Sequence, residues 1–102
     1  MRLVRMTYLL TQSFPKEELY GLSSQMRRAA VSVPSNLAEG AARSSKREFA
    51  QFISISKGSL SELETQMLIA ADLGYLSADH EVFPCLERVA KLLTGLHKNV
   101  VP

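Results

Sequence analysis

Apolar residues recur every three or four positions along most of the chain, and the alternation typical of strands is nearly absent. Pro and Gly residues divide this pattern into segments, so we predict an all-α protein with four amphipathic helices. The predicted helices cover about residues 2–12, 15–41, 46–73 and 78–98 of a single domain, 1–102. Because their connections are short, we expect an antiparallel up-and-down four-helix bundle.

Each predicted helix has one apolar face, and these faces define the expected core. The small inward residues Ser56 and Ala70 should allow a neighbouring helix to approach closely. The inward positions are Leu3, Met6 and Leu10 in the first helix; Leu19, Leu22, Met26, Ala30, Val33 and Leu37 in the second; Phe49, Phe52, Ser56, Leu60, Leu63, Met67 and Ala70 in the third; and Val82, Leu86, Val89, Leu93, Leu96 and Val100 in the fourth.

Local signals suggest how the second helix begins and bends. Ser13 precedes Pro15 and is expected to cap the second helix. Pro34 interrupts the apolar pattern without ending it, so we expect one helix kinked near Pro34. Gly40 and the polar residues after it should mark the turn to the third helix.

The third and fourth helices carry their own end signals. Ser44 or Ser45 is expected to cap the third helix, and Ser45 stands three residues before Glu48, which is the spacing of a capping box. Gly74 is expected to end the third helix, and Ser77 to cap the fourth. Pro84 is tolerable if the regular fourth helix begins near residue 83, because a missing donor costs little in a first turn.

The amino-acid composition is that of a folded globular domain and agrees with the predicted four-helix fold. Hydrophobic residues make up 46% of the chain and charged residues 22%, which argues against disorder. The apolar runs are too short to span a membrane, and the start of the chain lacks the apolar core of a secretory signal. The single cysteine, Cys85, cannot form an internal disulfide, so we expect a cytoplasmic protein.

The charge is unevenly distributed. Residues 1–57 contain nine Lys or Arg and four acids, whereas residues 58–102 contain three and six. This asymmetry is consistent with an anionic partner for the first half, with two halves that attract each other in an oligomer, or with scattered solvated charges. Six basic residues of the first half are expected to flank the turn between the second and third helices and to form a candidate nucleic-acid surface: Arg27, Arg28, Arg43, Lys46, Arg47 and Lys57.

No aromatic platform for stacking bases is evident beside these residues in the sequence. Any nucleic-acid contact is therefore expected to depend on phosphate charge and on salt concentration. A second apolar face on the third helix, made of Ile55, Ile69 and Leu73, is a candidate oligomer interface. A scaffold that binds only protein, or only itself, is the alternative function.

Motifs for chemistry are missing, so we predict no catalytic residues, no metal site, no cofactor, no small-molecule substrate and no enzyme activity. The Glu-x-x-His pairs of di-iron bundles do not occur, and neither do zinc spacings or phosphate loops. Met6 and His97 have the order of haem ligands, but core packing and surface exposure explain them better. The nucleophile motif Gly-x-Ser-x-Gly is also absent.

A polar motif lies between the second and third helices. Glu39 and Arg43 are four residues apart, in the order that favours a helical ion pair. Asn36 lies close enough to Pro34 for its amide to satisfy backbone groups that the proline frees. With Gly40, these residues form either a structural motif that fixes the turn or a binding site at the end of the bundle.

Four parts of the chain are distinctive as sequence: Leu10 to Leu22 (LTQSFPKEELYGL), Gln25 to Gly40 (QMRRAAVSVPSNLAEG) followed by Arg43, the pair Phe49 and Phe52, and Gly58 to Glu64 (GSLSELE). Together they resemble a known bacterial family of four-helix-bundle proteins, whose first members are encoded in intervening sequences of 23S ribosomal RNA genes. This resemblance is the source of the expectations that follow. It extends over about residues 3 to 97.

The resemblance implies an antiparallel bundle that assembles as a homopentamer. The accessory variability proteins of diversity-generating retroelements are a related branch. The similarity to that branch implies basic surfaces that bind nucleic acid and a reverse transcriptase. For this chain the net charge of +2 is modest. We therefore expect an oligomer of undefined cellular role whose possible partners are RNA or a ribonucleoprotein.

Overall fold

The computed structural model describes residues 1–101, and within them it contains four α-helices, one short 3₁₀ helix and no strand. The α-helices are α1 (Arg2–Gln12), α2 (Leu22–Ala41), α3 (Lys46–Asp72) and α4 (Val82–Val100), and the 3₁₀ helix is Lys16–Glu18. The prediction of an all-α four-helix fold is confirmed. None of the described helices is long and apolar enough to cross a membrane.

Helices that follow one another in the chain lie side by side. α2 packs against α3, α3 against α4, and α1 against both α2 and α4, so α1 and α3 occupy one diagonal of the bundle. α1 has 11 residues and α3 has 27. At 1.5 Å per residue these lengths are about 16 Å and about 40 Å, so α1 covers only part of the long faces beside it.

The core consists mainly of the predicted inward residues. Leu19 is an exception, because it precedes α2 and is 48% exposed. Ile53 was missed and is completely buried. Predicted residues that are buried include Leu3, Met6, Met26, Ala30, Val33, Ser56, Leu60, Leu63, Met67, Ala70, Val82, Leu86 and Leu93.

The start of α2 differs from the prediction, since the helix begins at Leu22 and not near residue 15. Ser13 does not cap it: its hydroxyl donates to the carbonyl of Leu10 at 2.8 Å and so helps to close α1. A carboxylate oxygen of Glu18 instead accepts from the Leu22 backbone N–H at 3.4 Å. The 3₁₀ helix supplies this acceptor one turn before α2.

The start of α4 also lies later than expected, at Val82 and not near residue 78. Ser77 accepts from the Asp79 backbone N–H at 3.1 Å, which stabilises the preceding turn. The Val82 N–H is instead bound by Nδ1 of His80 at 2.9 Å. Pro84 lies in the first turn of α4, where its missing N–H leaves no helical bond unmade.

α2 and α3 approach each other closely through small residues. α2 continues through Pro34, and Gly40 lies buried within α2 and does not mark the turn. A Cβ added to Gly40 would lie 2.6 Å from the Cβ of Phe52, so only glycine fits there. The buried hydroxyl of Ser56 donates to the Val33 carbonyl at 2.8 Å, as close packing of these helices requires.

Both predicted ends of α3 are confirmed. The Ser45 hydroxyl accepts from the Glu48 N–H at 3.1 Å. At the other end Gly74 has φ +83°, a left-handed conformation that glycine adopts readily. The Tyr75 N–H then reaches the Ala70 carbonyl at 2.9 Å, which completes a Schellman motif.

Candidate nucleic-acid interface

The structure divides the predicted basic residues between separate places. Arg43, Lys46 and Arg47 lie together around the connection between α2 and α3, and we call them the turn cluster. Arg27 precedes Arg43 by 16 residues, which corresponds to about 24 Å along a helix. Arg28 lies beside Arg27. The sequence suggested that all six residues flank one turn, and the structure shows that they do not.

Lys57 is the remaining member of the predicted basic set. It lies 11 residues beyond Lys46 on α3, or about 16 Å along the helix axis. Its side chain is half-buried, unlike those of Lys46 and Arg47, which are exposed. Lys57 thus belongs neither to the turn cluster nor to the pair on α2.

Within the turn cluster, Arg43 has structural contacts of its own. Its guanidinium forms the predicted ion pair with Glu39 at 3.0 Å and lies 5.0 Å from the centre of the Phe52 ring. Lys46 and Arg47 are the first two residues of α3. The helix dipole disfavours positive charge at that end, so helix stability does not explain these two residues.

The polar motif around Asn36 and Glu39 makes hydrogen bonds within α2 and, through Ser32, to α3. The Asn36 amide donates to the backbone carbonyl of Ser32 at 2.8 Å and to its hydroxyl at 2.9 Å. The Ser32 hydroxyl is in turn 2.8 Å from that of Ser59 on α3. Pro34 leaves the carbonyl of Ala30 without its helical donor, and Asn36 does not bind that carbonyl, contrary to the prediction. These contacts favour the structural interpretation of the motif.

An exposed groove of about 620 Å³ lies between α1 and the outer face of α2. We call it the α1–α2 groove, and its principal lining residues are Tyr8, Leu19, Tyr20, Arg27, Arg28 and Val31. The view that no aromatic platform accompanies the basic residues is therefore wrong. Tyr20 lies in the turn just before α2, seven residues before Arg27 in the sequence. Tyr8, by contrast, reaches the groove only through the packing of α1 on α2.

Arg27 is held in a defined position within the groove. Its Nε–H donates to the Thr11 hydroxyl at 2.8 Å, and its guanidinium carbon lies 4.9 Å from the centre of the Tyr8 ring. Thr11 donates its own proton to the Thr7 carbonyl at 2.8 Å. Since α1 is linked to α2 by this chain of bonds, the guanidinium plane is preorganised.

The predicted oligomer-interface residues form an exposed apolar stripe on α3. Ile55, Ile69 and Leu73 are 50%, 46% and 52% exposed. Helical spacing places them on the same flank of α3, with the exposed Glu62 between them. Leu68 is similarly exposed, at 55%, but its position in the helical repeat places it on the opposite flank.

The other side chains considered for chemistry are buried or lie close to neighbouring polar groups. Cys85 is buried, and His80 accepts the Val82 N–H. His97 lies 3.3 Å from the hydroxyl of Ser54, and Met6 is packed in the core. Within residues 1–101, no three His, Cys, Asp or Glu side chains are grouped in a way that could hold a metal ion.

Tyr75 joins the connection between α3 and α4 to the 3₁₀ helix. Its hydroxyl donates to a Glu18 carboxylate oxygen at 2.9 Å, and its ring packs 5.2 Å from that of Phe14. The hydrogen bond to Glu18 raises the pKa of Tyr75 above its ordinary value of 10.0, with smaller contributions from desolvation and from the negative charges of Glu18 and Glu17.

A comparison with family models matches residues 1–95 to the family described as 23S rRNA-intervening sequence protein. The match includes α1, α2, α3 and most of α4. Among curated proteins, no sequence matches this chain.

Proposed function

The chain belongs to the 23S rRNA-intervening sequence protein family, and on this premise we propose that it is a non-enzymatic, oligomeric bundle that binds RNA or a ribonucleoprotein partner through basic surfaces. We further propose that it assembles as the homopentamer that the resemblance implies and that it works in the cytoplasm. The buried, unpaired thiol of Cys85 is compatible with a reducing compartment.

The placement of the turn cluster is the observation that carries the proposal. Lys46 and Arg47 are exposed and stand at the helix end where positive charge is unfavourable for stability. Within residues 1–101, Arg43 is the only one of the six predicted basic residues in an ion pair. Cations without a folding role are available for phosphates, which they bind by charge with release of counterions.

Neutralising the turn cluster tests this proposal. The variant Arg43→Gln/Lys46→Gln/Arg47→Gln should bind a structured RNA more weakly than the wild type, measured by fluorescence anisotropy on the assembled protein. The dependence of log K on log salt should become shallower by about one for each phosphate contact removed. The effect should be similar for different RNA sequences, because phosphate contacts carry no sequence information.

The matched control changes the same number of positive charges on α4, with Arg88→Gln/Lys91→Gln/Lys98→Gln. This triple variant alters the net charge equally but leaves the turn cluster intact. Equal losses in both triple variants would indicate a general charge effect and would contradict a specific basic surface. Absence of salt-sensitive RNA binding by the wild-type oligomer would reject RNA binding altogether.

A self-assembling scaffold without nucleic-acid contact is the second candidate. The exposed stripe of Ile55, Ile69 and Leu73 favours it, because a row of apolar side chains in water is stabilised when a partner covers it. This candidate shares the assembly with the first and differs only in RNA binding. RNA binding by the wild-type oligomer, and its loss in the turn-cluster variant, would therefore favour the first candidate over the second.

A further inference from the structure

The α1–α2 groove brings two tyrosines and two arginines to one exposed surface. We propose that this groove binds unpaired bases of a single-stranded RNA, which stack on Tyr8, Tyr20 and the Arg27 guanidinium while the arginines contact phosphates. The inference rests on the RNA binding proposed above. It adds that the RNA is single-stranded and names the residues that contact its bases.

Tyr20 is the first reason for this assignment. Its side chain is 94% exposed, so its ring gains almost nothing from burial in the bundle. It stands just before α2 and lines the same groove as Arg28 and Val31. A solvated aromatic face is available to a base, and stacking of this kind tolerates any base because every base has a π-face.

Arg27 and Tyr8 supply a second stacking surface. The bond to Thr11 fixes the guanidinium, and Tyr8 supports it from one side while remaining 40% exposed. Unpaired bases stack on arginine planes as well as on aromatic rings. Because Arg27 is already ordered, little side-chain freedom is lost when a base arrives.

The charge and size of the groove agree with the same ligand. Its lining includes Arg27 and Arg28 and no acidic residue. Arg28 also borders a second, smaller cavity of about 240 Å³, whose lining includes Glu62 of α3. The positive charge of Arg28 therefore lies between the groove and the carboxylate of Glu62. A volume of about 620 Å³ falls within the range of roughly 300–1,000 Å³ usual for sites that hold small organic groups.

The stacking surfaces select for unpaired bases. In a duplex the faces of the bases are covered by their neighbours, and only the phosphates and the groove edges are accessible. The turn cluster, which has no exposed tyrosine, can bind either form by charge. A contribution from the α1–α2 groove should therefore appear with single strands only.

The test compares a fluorescently labelled, uridine-rich single-stranded RNA with a labelled, blunt-ended RNA duplex of equal length, both titrated with the full chain. Tyr20→Ala should weaken binding of the single strand about tenfold, the order of magnitude of one stacked base, and should leave duplex binding unchanged. Tyr20→Phe should bind as the wild type does, since the ring is retained.

Tyr20→Leu separates stacking from apolar contact. Leucine retains apolar area but has no π-face, so the single strand should bind this variant as weakly as it binds Tyr20→Ala. Full binding by Tyr20→Leu would overturn the proposal and would point to an apolar protein segment as the occupant. Since Tyr20 is nearly fully exposed, all three variants should unfold at the wild-type temperature.

The results distinguish this inference from the proposed function. If the turn-cluster variant loses RNA but Tyr20→Ala binds the single strand as tightly as the wild type, the protein binds RNA and the groove assignment is wrong. A loss of duplex binding as large as the loss of single-strand binding in Tyr20→Ala would also overturn the assignment. If the assembled wild type binds neither RNA, both proposals are wrong.

Discussion

At the scale of the residue, the contact between Gly40 and Phe52 shows how one missing side chain sets the distance between two helices. Gly40 is buried in the last turn of α2, directly against Phe52 of α3. In a helix, glycine is usually the less stable choice, because it loses more backbone freedom than alanine. Here the space available reverses that preference.

Gly40→Ala should therefore destabilise the protein by about 1–3 kcal/mol, the usual cost of overpacking, despite the better helix propensity of alanine. Chemical denaturation followed by circular dichroism measures the change. The added methyl would lie 2.6 Å from the Cβ of Phe52, an atom that cannot move without the backbone.

Gly58→Ala provides the matched control within α3. A Cβ at Gly58 would meet no atom within 4 Å, so this change should stabilise the protein by about 0.5–1 kcal/mol. If both alanine variants are more stable than the wild type, the tight contact at Gly40 does not exist in solution.

At the scale of the element, the ends of the helices are held by side chains from neighbouring segments. Glu18, in the 3₁₀ helix, receives the first N–H of α2 with one carboxylate oxygen and the Tyr75 hydroxyl with the other. Tyr75 is the last residue of the Schellman motif that ends α3. One carboxylate thus connects the start of α2 to the segment between α3 and α4.

This connection predicts a loss of stability in alkaline solution. Because the pKa of Tyr75 is raised in the folded protein, the unfolded chain releases the tyrosine proton first, as pH rises through 10.0. The unfolded state then binds fewer protons than the native state, and the free energy of unfolding decreases with pH. Below pH 10.0 the contribution of the hydrogen bond is fully present.

Tyr75→Phe removes this titration. Its stability deficit relative to the wild type should be largest near neutral pH and should shrink above pH 10.0, in denaturant titrations at several pH values. Glu18→Gln retains a hydrogen-bond acceptor for Tyr75 but not the negative charge. The pKa of Tyr75 should therefore be raised less in this variant, and its free energy of unfolding should decrease less in alkaline solution. A deficit in Tyr75→Phe that is constant with pH would contradict the hydrogen bond to Glu18.

At the scale of the whole molecule, the bundle leaves its apolar stripe and its basic surfaces uncovered. The stripe of Ile55, Ile69 and Leu73 lies on one flank of α3, and the core does not bury it. The short α1 lies beside α2 and α4 and contributes no cover to α3. Assembly with other copies is the arrangement that we propose for this stripe.

Ile69→Ser/Leu73→Ser should shift the protein from the oligomer to the monomer, as measured by light scattering at micromolar concentration. The two residues are four apart and about half exposed, so the fold should tolerate both changes. Leu68→Ser is the control, since Leu68 is equally exposed on the opposite flank of α3. A wild-type monomer, or equal dissociation of both variants, would refute the interface.

The pattern of apolar residues by itself determined the four helices and most of the core, and local end signals determined both ends of α3. These ends depend on contacts within a few residues of one another, such as the Ser45 cap and the left-handed Gly74. The starts of α2 and α4 were misplaced, because their first N–H groups bind Glu18 and His80 and not the predicted serines, Ser13 and Ser77. Several local acceptors compete there, and sequence spacing does not choose among them.

Tertiary structure alone decided which side chains share a surface. Tyr8 meets Arg27 because α1 packs on α2, and no spacing along the chain encodes that meeting. The basic residues that the sequence grouped around one turn are separated because α2 and α3 are long enough to carry Arg27 and Lys57 away from it. Periodicity reports which face of a helix is apolar, whereas the position of that face against another helix depends on packing of the whole bundle.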